Sequence, residues 1–339
     1  MRLSIIILNW NGRSMIEQFL PSVVKYSPEA EIVVADNAST DESSKFLSDN
    51  YPTVRQIILD CNYGFAEGYN RAIAQVNSEY ILLLNNDVEV TDGWLDPLLT
   101  YMDANINVAA CQPKLLCHWE KDSFEYAGAC GGYIDLLGYP YCRGRIFDTV
   151  EQDFGQYDTT TKVTWATGAA LLIRNSVFRE VGGLDKRFFA HQEEIDLCWR
   201  LRARGYDIVC IPDSVVFHFG GGTLKKDNPQ KTYLNFRNNL FLLYKNLPMH
   251  RLWWVMSIRT VLDAMAAMVF LLKGKRGDAA AIWKAHKDFQ IKKKGFKEDR
   301  LQNLQKQKVS TQKILSRHCI LFQYYALSRK TFNQLPKFQ

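Results

Sequence analysis

An α/β fold is what this sequence predicts: a Rossmann-like, mostly parallel central sheet with helices on both faces, followed by a helical C-terminal extension. Three observations predict it. Short apolar runs alternate with amphipathic stretches through the first hundred or so residues, acids and amides collect where those runs end, and long helical periodicities take over after about residue 228. At 339 residues the chain is long enough to bury a large core.

The run SIIILNW reads as the first strand, and Met15 to Tyr26 as a helix. A second strand, EIVVADN, leads into a helix from Asp41, and RQIILD reads as a third strand. A helix over 69–76 precedes YILLLNNDVEV, whose unbroken apolar core suits a strand buried on both faces. From 108 to 158 the pattern breaks into Gly- and Tyr-rich pieces such as EYAGACGGYIDLLGYPYCRGR, expected as a long loop or small hairpins. Regular structure resumes with a strand and helix in VTWATGAALLIRNSVFREVGGLD. A helix in HQEEIDLCWRLRARGY, closed by Gly205, and a strand in DIVCIPDSVVFH follow. A boundary is placed within 222–232, separating a domain of residues 1–225, itself divided into 1–107 and 108–225, from the helices of 226–339.

The net charge of +6 is modest, but lysines crowd the run IKKKGFKEDR. That run lacks interleaved aromatic or groove-reading motifs, so no nucleic-acid partner is expected. Eight cysteines fall at irregular intervals without a CxxC, and the apolar run SIIIL is short and ends in the polar NWNG. Reduced thiols in a cytoplasmic chain without a secretory leader are the expectation.

Four strand-end segments carry chemistry. In ILNWNG and VVADNAST, Asp36 ends a strand and Asn37, Ser39 and Thr40 open a turn. A carboxylate there accepts hydrogen bonds from an imide or a ribose hydroxyl, while helix capping by Ser39, Thr40 or Asp41 is the plainer role of the segment. In NYGFAEGYNRA, glycines let backbone approach a ligand and a helix N-terminus offers N–H groups to negative charge, unless the loop is an ordinary turn. In LLLNNDVEV, Asp87 can hold a divalent cation or satisfy strand-end backbone. In FFAHQEEIDLCWR, Glu193, Glu194 and Asp196 share a first helical turn, where an acid removes a proton from an attacking hydroxyl or favours the macrodipole. His218 in VVFHFGGGT stands at another strand end.

In this order the segments resemble the family 2 glycosyltransferases, especially the bacterial rhamnosyltransferase-like branch with the GT-A fold, over residues 3–245. The resemblance implies inverting, metal-dependent transfer from a nucleotide-diphosphate donor, dTDP- or UDP-linked, to a hydroxyl of a glycan acceptor in surface polysaccharide or lipopolysaccharide synthesis. Residues 1–107 would bind the nucleotide and 108–225 the acceptor. The resemblance assigns donor contacts to Asn9, Asp36, Asn37, Asn62, Gly64, Asn70, Asn86 and Asp87, and a Mn²⁺ or Mg²⁺ ion to Asp87 and His218. It makes Glu194 the base beside Glu193, and sets Trp165, Thr167, Gly168 and Ala169 at the border of donor sugar and acceptor. Trp165 either stacks on a sugar face or fills the core. Two departures stand out. Asn85 replaces the first acid of the family's DxD, leaving Glu89 as a helper to Asp87. Glu193–Glu194 stand where Glu-Asp is usual, so Asp196 remains a second candidate for the base. The rival readings are a sugar nucleotidyltransferase, which ILNWNGRS fits poorly, and a nucleotide-sugar-binding protein impaired in catalysis.

The segment 252–272, LWWVMSIRTVLDAMAAMVFLL, is long enough to cross a bilayer, yet Arg259 and Asp263 share one helical face. Lying in the membrane interface is the expected placement, with packing on the catalytic domain and a true span as the others. The lysines of 292–297 would then meet anionic headgroups. The family resemblance adds a lipid-linked acceptor, and with it a chain peripheral to the inner face of the cytoplasmic membrane.

Overall fold

The computed structural model describes residues 1–220 and 228–337. The boundary expected within 222–232 starts in residues 221–227, which lie outside the described residues.

Strand β1 (Leu3–Asn9), helix α1 (Arg13–Tyr26), β2 (Glu31–Asp36), α2 (Ser43–Asn50), β3 (Arg55–Ile58), α3 (Gly64–Ile73) and β4 (Tyr80–Asn85) alternate as the periodicity predicts. These four strands run parallel in the order β3-β2-β1-β4. The run YILLLNNDVEV breaks at Asn86–Asp87, and β5 (Val88–Val90) leaves to pair elsewhere before α4 (Leu95–Ala104).

The 108–158 region departs from expectation at its start. Residues Val108–Cys117 form β6, a ten-residue, almost wholly buried strand of the main sheet. Gln112, Pro113 and Lys114 disguise it. Pro113 sits at a register shift against the neighbouring strand, where no ladder N–H is demanded, and Lys114 is neutralised by Asp153 at 2.7 Å and by Asp158. Hairpins do follow, as β7 (Gly132–Ile134), β8 (Pro140–Cys142), β9 (Arg145–Ile146) and β10 (Thr149–Val150) in a small antiparallel sheet.

After β11 (Thr161–Lys162) come β12 (Ala170–Arg174), α5 (Asn175–Glu180), α6 (Glu193–Ala203) and β13 (Asp207–His218). No crossover helix lies between β6 and β12, so the chain re-enters the sheet from the end at which it left, and β12 runs antiparallel to both β4 and β6. In the nine-stranded sheet, β11-β13-β6-β12-β4-β1-β2-β3 with β5 on β13, strands β1–β4, β6 and β13 therefore share one direction, as a mostly parallel sheet requires, and β5, β11 and β12 run against them.

Helices cover both faces. Ile16, Leu20 and Val23 of α1 and Leu95, Leu98 and Met102 of α4 fill one core. The other core takes α3, α6 and, from the extension, α7 (Pro229–Asn246), α8 (Met249–Leu272), α9 (Arg276–Lys292) and α11 (Thr311–Ile314), while α10 (Lys297–Gln305) packs on α7. Among the described residues α8 alone is long and apolar enough to cross a membrane, with a mean hydropathy of 1.8. Its polar pair faces the protein. Arg259 donates to Leu137 O at 3.2 Å and to Asn239 Oδ1, and lies 3.9 Å from the Tyr139 ring centre. Asp263 meets His286 Nε2 at 2.9 Å. One face of α8 thus packs on the rest of the protein, and the other is exposed.

Candidate active site

Parallel strands end in line, so the residues that close β1, β2 and β4 meet at one edge. Asn9 is completely buried between them: its Oδ1 accepts from Asn86 Nδ2 at 2.8 Å, and its Nδ2 points to Asp36 Oδ1 at 3.4 Å. Asp36 also accepts from Ser39 N at 2.9 Å, which closes the turn after β2; the N-cap of α2 is Glu42, whose side chain makes no cap, and Asp41 accepts from Ser43 N at 3.2 Å. Gly12 lies close beneath; a Cβ there would stand 2.3 Å from Asn86 Nδ2.

The glycine loop departs from its expected use. Gly64 has φ +73°, and a Cβ on it would strike the Phe189 ring at 2.5 Å. The N–H groups of Phe65 and Ala66, at the start of α3, donate to Phe189 O at 2.7 and 3.2 Å. The close approach serves Phe189 in the loop before α6, and these N–H groups are engaged by protein. Asn37 donates to Asn62 Oδ1 and Gly64 O at 3.0 and 3.1 Å, and Asn70 clasps the backbone of Leu184 through both amide atoms. As the structure places them, these three asparagines shape the loop from within and direct their amides to protein atoms.

Beside β4, His218 at the end of β13 lies with Nε2 3.1 Å from Asp87 Oδ1. Its Nδ1 is 3.2 Å from Glu125 Oε1, and Asn85 Nδ2 is 3.4 Å from Nε2. Burial works against a charged ring, but Glu125 and Asp87 outweigh it and push the His218 pKa well above its usual value. The Asp87 carboxyl is correspondingly held low, His218 overcoming the cost of burial. Glu125 is absent from the candidates that the sequence offers. It lies in the Gly- and Tyr-rich stretch, buried, with Oε2 accepting from Ala127 N at 2.5 Å, and nothing local to its sequence marks it. Glu89, the expected helper, pairs instead with His118 at 3.0 Å and Lys121 at 3.5 Å.

Among the described residues no three His, Cys, Asp or Glu side chains gather as a metal cage. Asp87 and His218 nonetheless suit a divalent cation whose remaining positions come from phosphate oxygens and water. A carboxylate on the far ring nitrogen, here Glu125, is the usual outer support of a metal-binding histidine.

The acids of α6 separate sharply. Phe189, His191 and Gln192 all hold positive φ, at +67°, +68° and +69°, and turn the chain into the helix. Glu193 is buried and Glu194 half-buried, and Oε2 of each is shut from water without a hydrogen-bond partner. Burial pushes the Glu194 carboxyl up to about 7, and burial plus the charge of Glu194 pushes Glu193 well up. Asp196 is the opposite case. Its fully buried carboxylate is bound by Lys245 at 2.8 Å, Arg200 at 2.9 Å and Asn246 at 3.0 Å, and these cations hold its pKa low despite burial. Fully buried and paired with two cations, it is closed to an acceptor hydroxyl, which speaks against it as the alternative base.

The turn 167–169 links the acids to β4. Ala169 O accepts from Asn85 N at 3.0 Å, Thr167 N donates to Gln112 Oε1 at 2.9 Å, and a Cβ on Gly168 would lie 3.7 Å from Glu194 Cβ. The Tyr69 hydroxyl is raised by burial and further by the charges of Asp87 and Glu193, so both acids lie within its electrostatic reach. Cys142 is raised by burial and senses Glu125 and Glu194 in the same way. Trp165 takes the core alternative. It is 2% exposed, donates Nε1–H to Tyr133 O at 3.0 Å, and packs under Gly132, leaving no face for a sugar.

The profile of Glycosyl transferase family 2 matches residues 4–182, over half of the chain. The N-acetylglucosaminyl-diphospho-decaprenol L-rhamnosyltransferase of Mycobacterium tuberculosis is 25% identical over 285 residues, covering 78% of this chain and 91% of that protein. Rhamnosyltransferase WbbL of Escherichia coli is 26% identical over 225 residues, covering 63% and 82%. Among solved structures, GalNAc-T7 with UDP, GalNAc and Mn²⁺ superposes with a TM-score of 0.58 at 16% identity, covering 74% of this chain and 49% of that one. S. aureus TarS 1–349 in complex with UDP-GlcNAc gives 0.56 at 16% identity, covering 85% and 80%. At such identities these structures speak for the fold, which is GT-A-like. Sequence profile, curated relatives and fold agree, and the chain belongs to glycosyl transferase family 2.

Proposed function

We propose that this chain transfers a sugar, rhamnose in the reading its relatives favour, from a nucleotide-diphosphate donor to a hydroxyl of a glycan acceptor, with inversion and with help from Mn²⁺ or Mg²⁺. The observation that carries it is Glu194: a carboxyl at about 7, with an unpartnered oxygen, beside the 167–169 turn that bonds Asn85 at the end of β4. A base works best with its pKa near the operating pH, and a single in-line displacement needs one base and no enzyme nucleophile. Glu194 accepts the acceptor's proton, while Glu193 keeps its own. Asp36 and Asn9 line the nucleotide side. Asp87 and His218 would hold the cation, which supplies positive charge to a diphosphate leaving group. A lipid-linked acceptor, like that in the name of the mycobacterial relative, sets the reaction at the inner face of the cytoplasmic membrane with this chain as a peripheral protein.

Transfer from dTDP-rhamnose and a panel of UDP- and GDP-sugars to an N-acetylglucosaminyl-diphospho-lipid, with the product's anomeric configuration read by NMR, tests the proposal. Near wild-type rates in both Asp87→Ala and Glu194→Ala would remove its basis.

A further inference from the structure

The outward face of α8 is largely apolar, its exposed Ser257 and Thr260 turning their hydroxyls back to the helix carbonyls of Trp253 and Met256. Trp253, Val261, Met265, Met268 and Leu272 are exposed, Leu272 to 81%, and the only charged side chains over 252–272, Arg259 and Asp263, are buried against the protein. A surface helix facing water has the reverse arrangement. This stripe is roughly 30 Å long, and an apolar surface of that extent marks an interaction site. Cations frame it: Arg251 at its start, exposed Lys273 and Arg276 at its end. On α9, exposed Trp283 and Lys287 stand next to Ile282 and His286, which pack on α8.

Tryptophans and lysines around an apolar stripe complement acyl chains under anionic headgroups. A second copy on the same face would bring like-charged rims together, which disfavours pairing.

The stripe also has a direction. Asn239 of α7 meets Arg259 of α8, and Pro229 at the start of α7 approaches Gly277 just after α8, so the two helices run antiparallel. Asn235 O accepts from Gln192, next to the catalytic acids, and the six residues before it carry α7 roughly 9 Å further in that direction. Gln192 also accepts from Asn239 Nδ2 at 2.9 Å, so the start of α6 lies beside the middle of α7, roughly 12 Å along that helix from the α8–α9 turn.

We propose that α8 lies along an anionic phospholipid bilayer with its apolar face down, so that the part of the protein packed on its other face is held at headgroup level. This deepens the lipid-acceptor reading and rests on it for its purpose, though not for the binding itself.

Co-sedimentation of the full chain with phosphatidylglycerol/phosphatidylethanolamine vesicles, against phosphatidylcholine vesicles, tests it. Binding to the anionic vesicles is expected to exceed the neutral case by about tenfold and to weaken with salt. V261E/M265E/M268E is expected to lose binding by about tenfold or more while keeping its thermal unfolding and its transfer to a water-soluble acceptor. Lys273→Glu with Arg276→Glu should abolish the anionic preference. No partition into anionic vesicles, undiminished binding of the triple variant, or a dimer in light scattering that the triple variant dissolves would each overturn the proposal. Vesicle binding without sugar transfer would leave the docking intact and sink the functional reading instead.

Discussion

The ammonium of Lys245 stands 2.8 Å from the carboxylate of Asp196, with both side chains buried. Arg200 completes the cage, and this pairing, not distance along α6, distinguishes Asp196 from Glu194. Removing one partner of a buried ion pair strands the other, so Asp196→Ala is expected to destabilise the fold by about 3 kcal/mol. Urea unfolding measures it, and whatever folds should retain a wild-type pH profile of transfer.

Glu194→Gln is expected to lower kcat by about 10²–10⁴-fold with a smaller effect on donor KM. The same carboxyl gives the pH dependence. The base works as the anion, so the rate of the native chain should fall as pH drops below about 7. For stability the sign is opposite: the folded-state pKa lies above the unfolded value, so the folded state binds more protons and loses stability as pH rises from the ordinary Glu range to about 7. Glu194→Gln should therefore be more stable than wild type at pH 8, by roughly 1–3 kcal/mol, and no more stable at pH 4. Thermal unfolding at both pH values checks this.

Glu125→Ala leaves Asp87 and His218 in place but removes the carboxylate behind the ring. Mn²⁺ affinity, followed by electron paramagnetic resonance of the free ion, is expected to fall about 10–100-fold. An unchanged titration would show that Glu125 does not orient His218 toward a metal.

Trp165→Phe removes the hydrogen bond to Tyr133 O and keeps the packing under Gly132. A loss of about 1 kcal/mol in stability is expected, with donor and acceptor KM unchanged. A large rise in either KM would return Trp165 to the sugar site.

Arg259→Leu is expected to destabilise by about 3–5 kcal/mol because Asp263 and Asn239 lose their buried partner. Arg259→Leu with Asp263→Leu should recover part of that loss, as measured by thermal unfolding.

Much of the candidate site is legible in the sequence alone. Asn9, Asp36 and Asp87 stand out because they end apolar runs, and the ends of neighbouring parallel strands must meet. Glu193 and Glu194 stand out because acids opening a helix are visible within a few residues. Strand β6 is hidden because Gln112, Pro113 and Lys114 break the apolar pattern, and their compensation by Asp153, Asp158 and a register shift is spread over distant segments. Glu125 is hidden for the same reason: its meaning is conferred by His218, far along the chain.

By itself, then, the sequence determined the alternation of strands and helices from β1 to β4, the polar residues at their ends, and the apolar length of α8, since each is a periodicity or a boundary within a short window. Only the tertiary structure decided which acid keeps an open oxygen, which asparagines and N–H groups are consumed by protein, where Trp165 turns, and which face of α8 stays bare. Those are matters of burial and pairing. A charge or an amide in a dry interior is governed by whatever partner the fold carries to it, and Lys245, Phe189, Tyr133 and Asn239 arrive from segments that no local pattern connects.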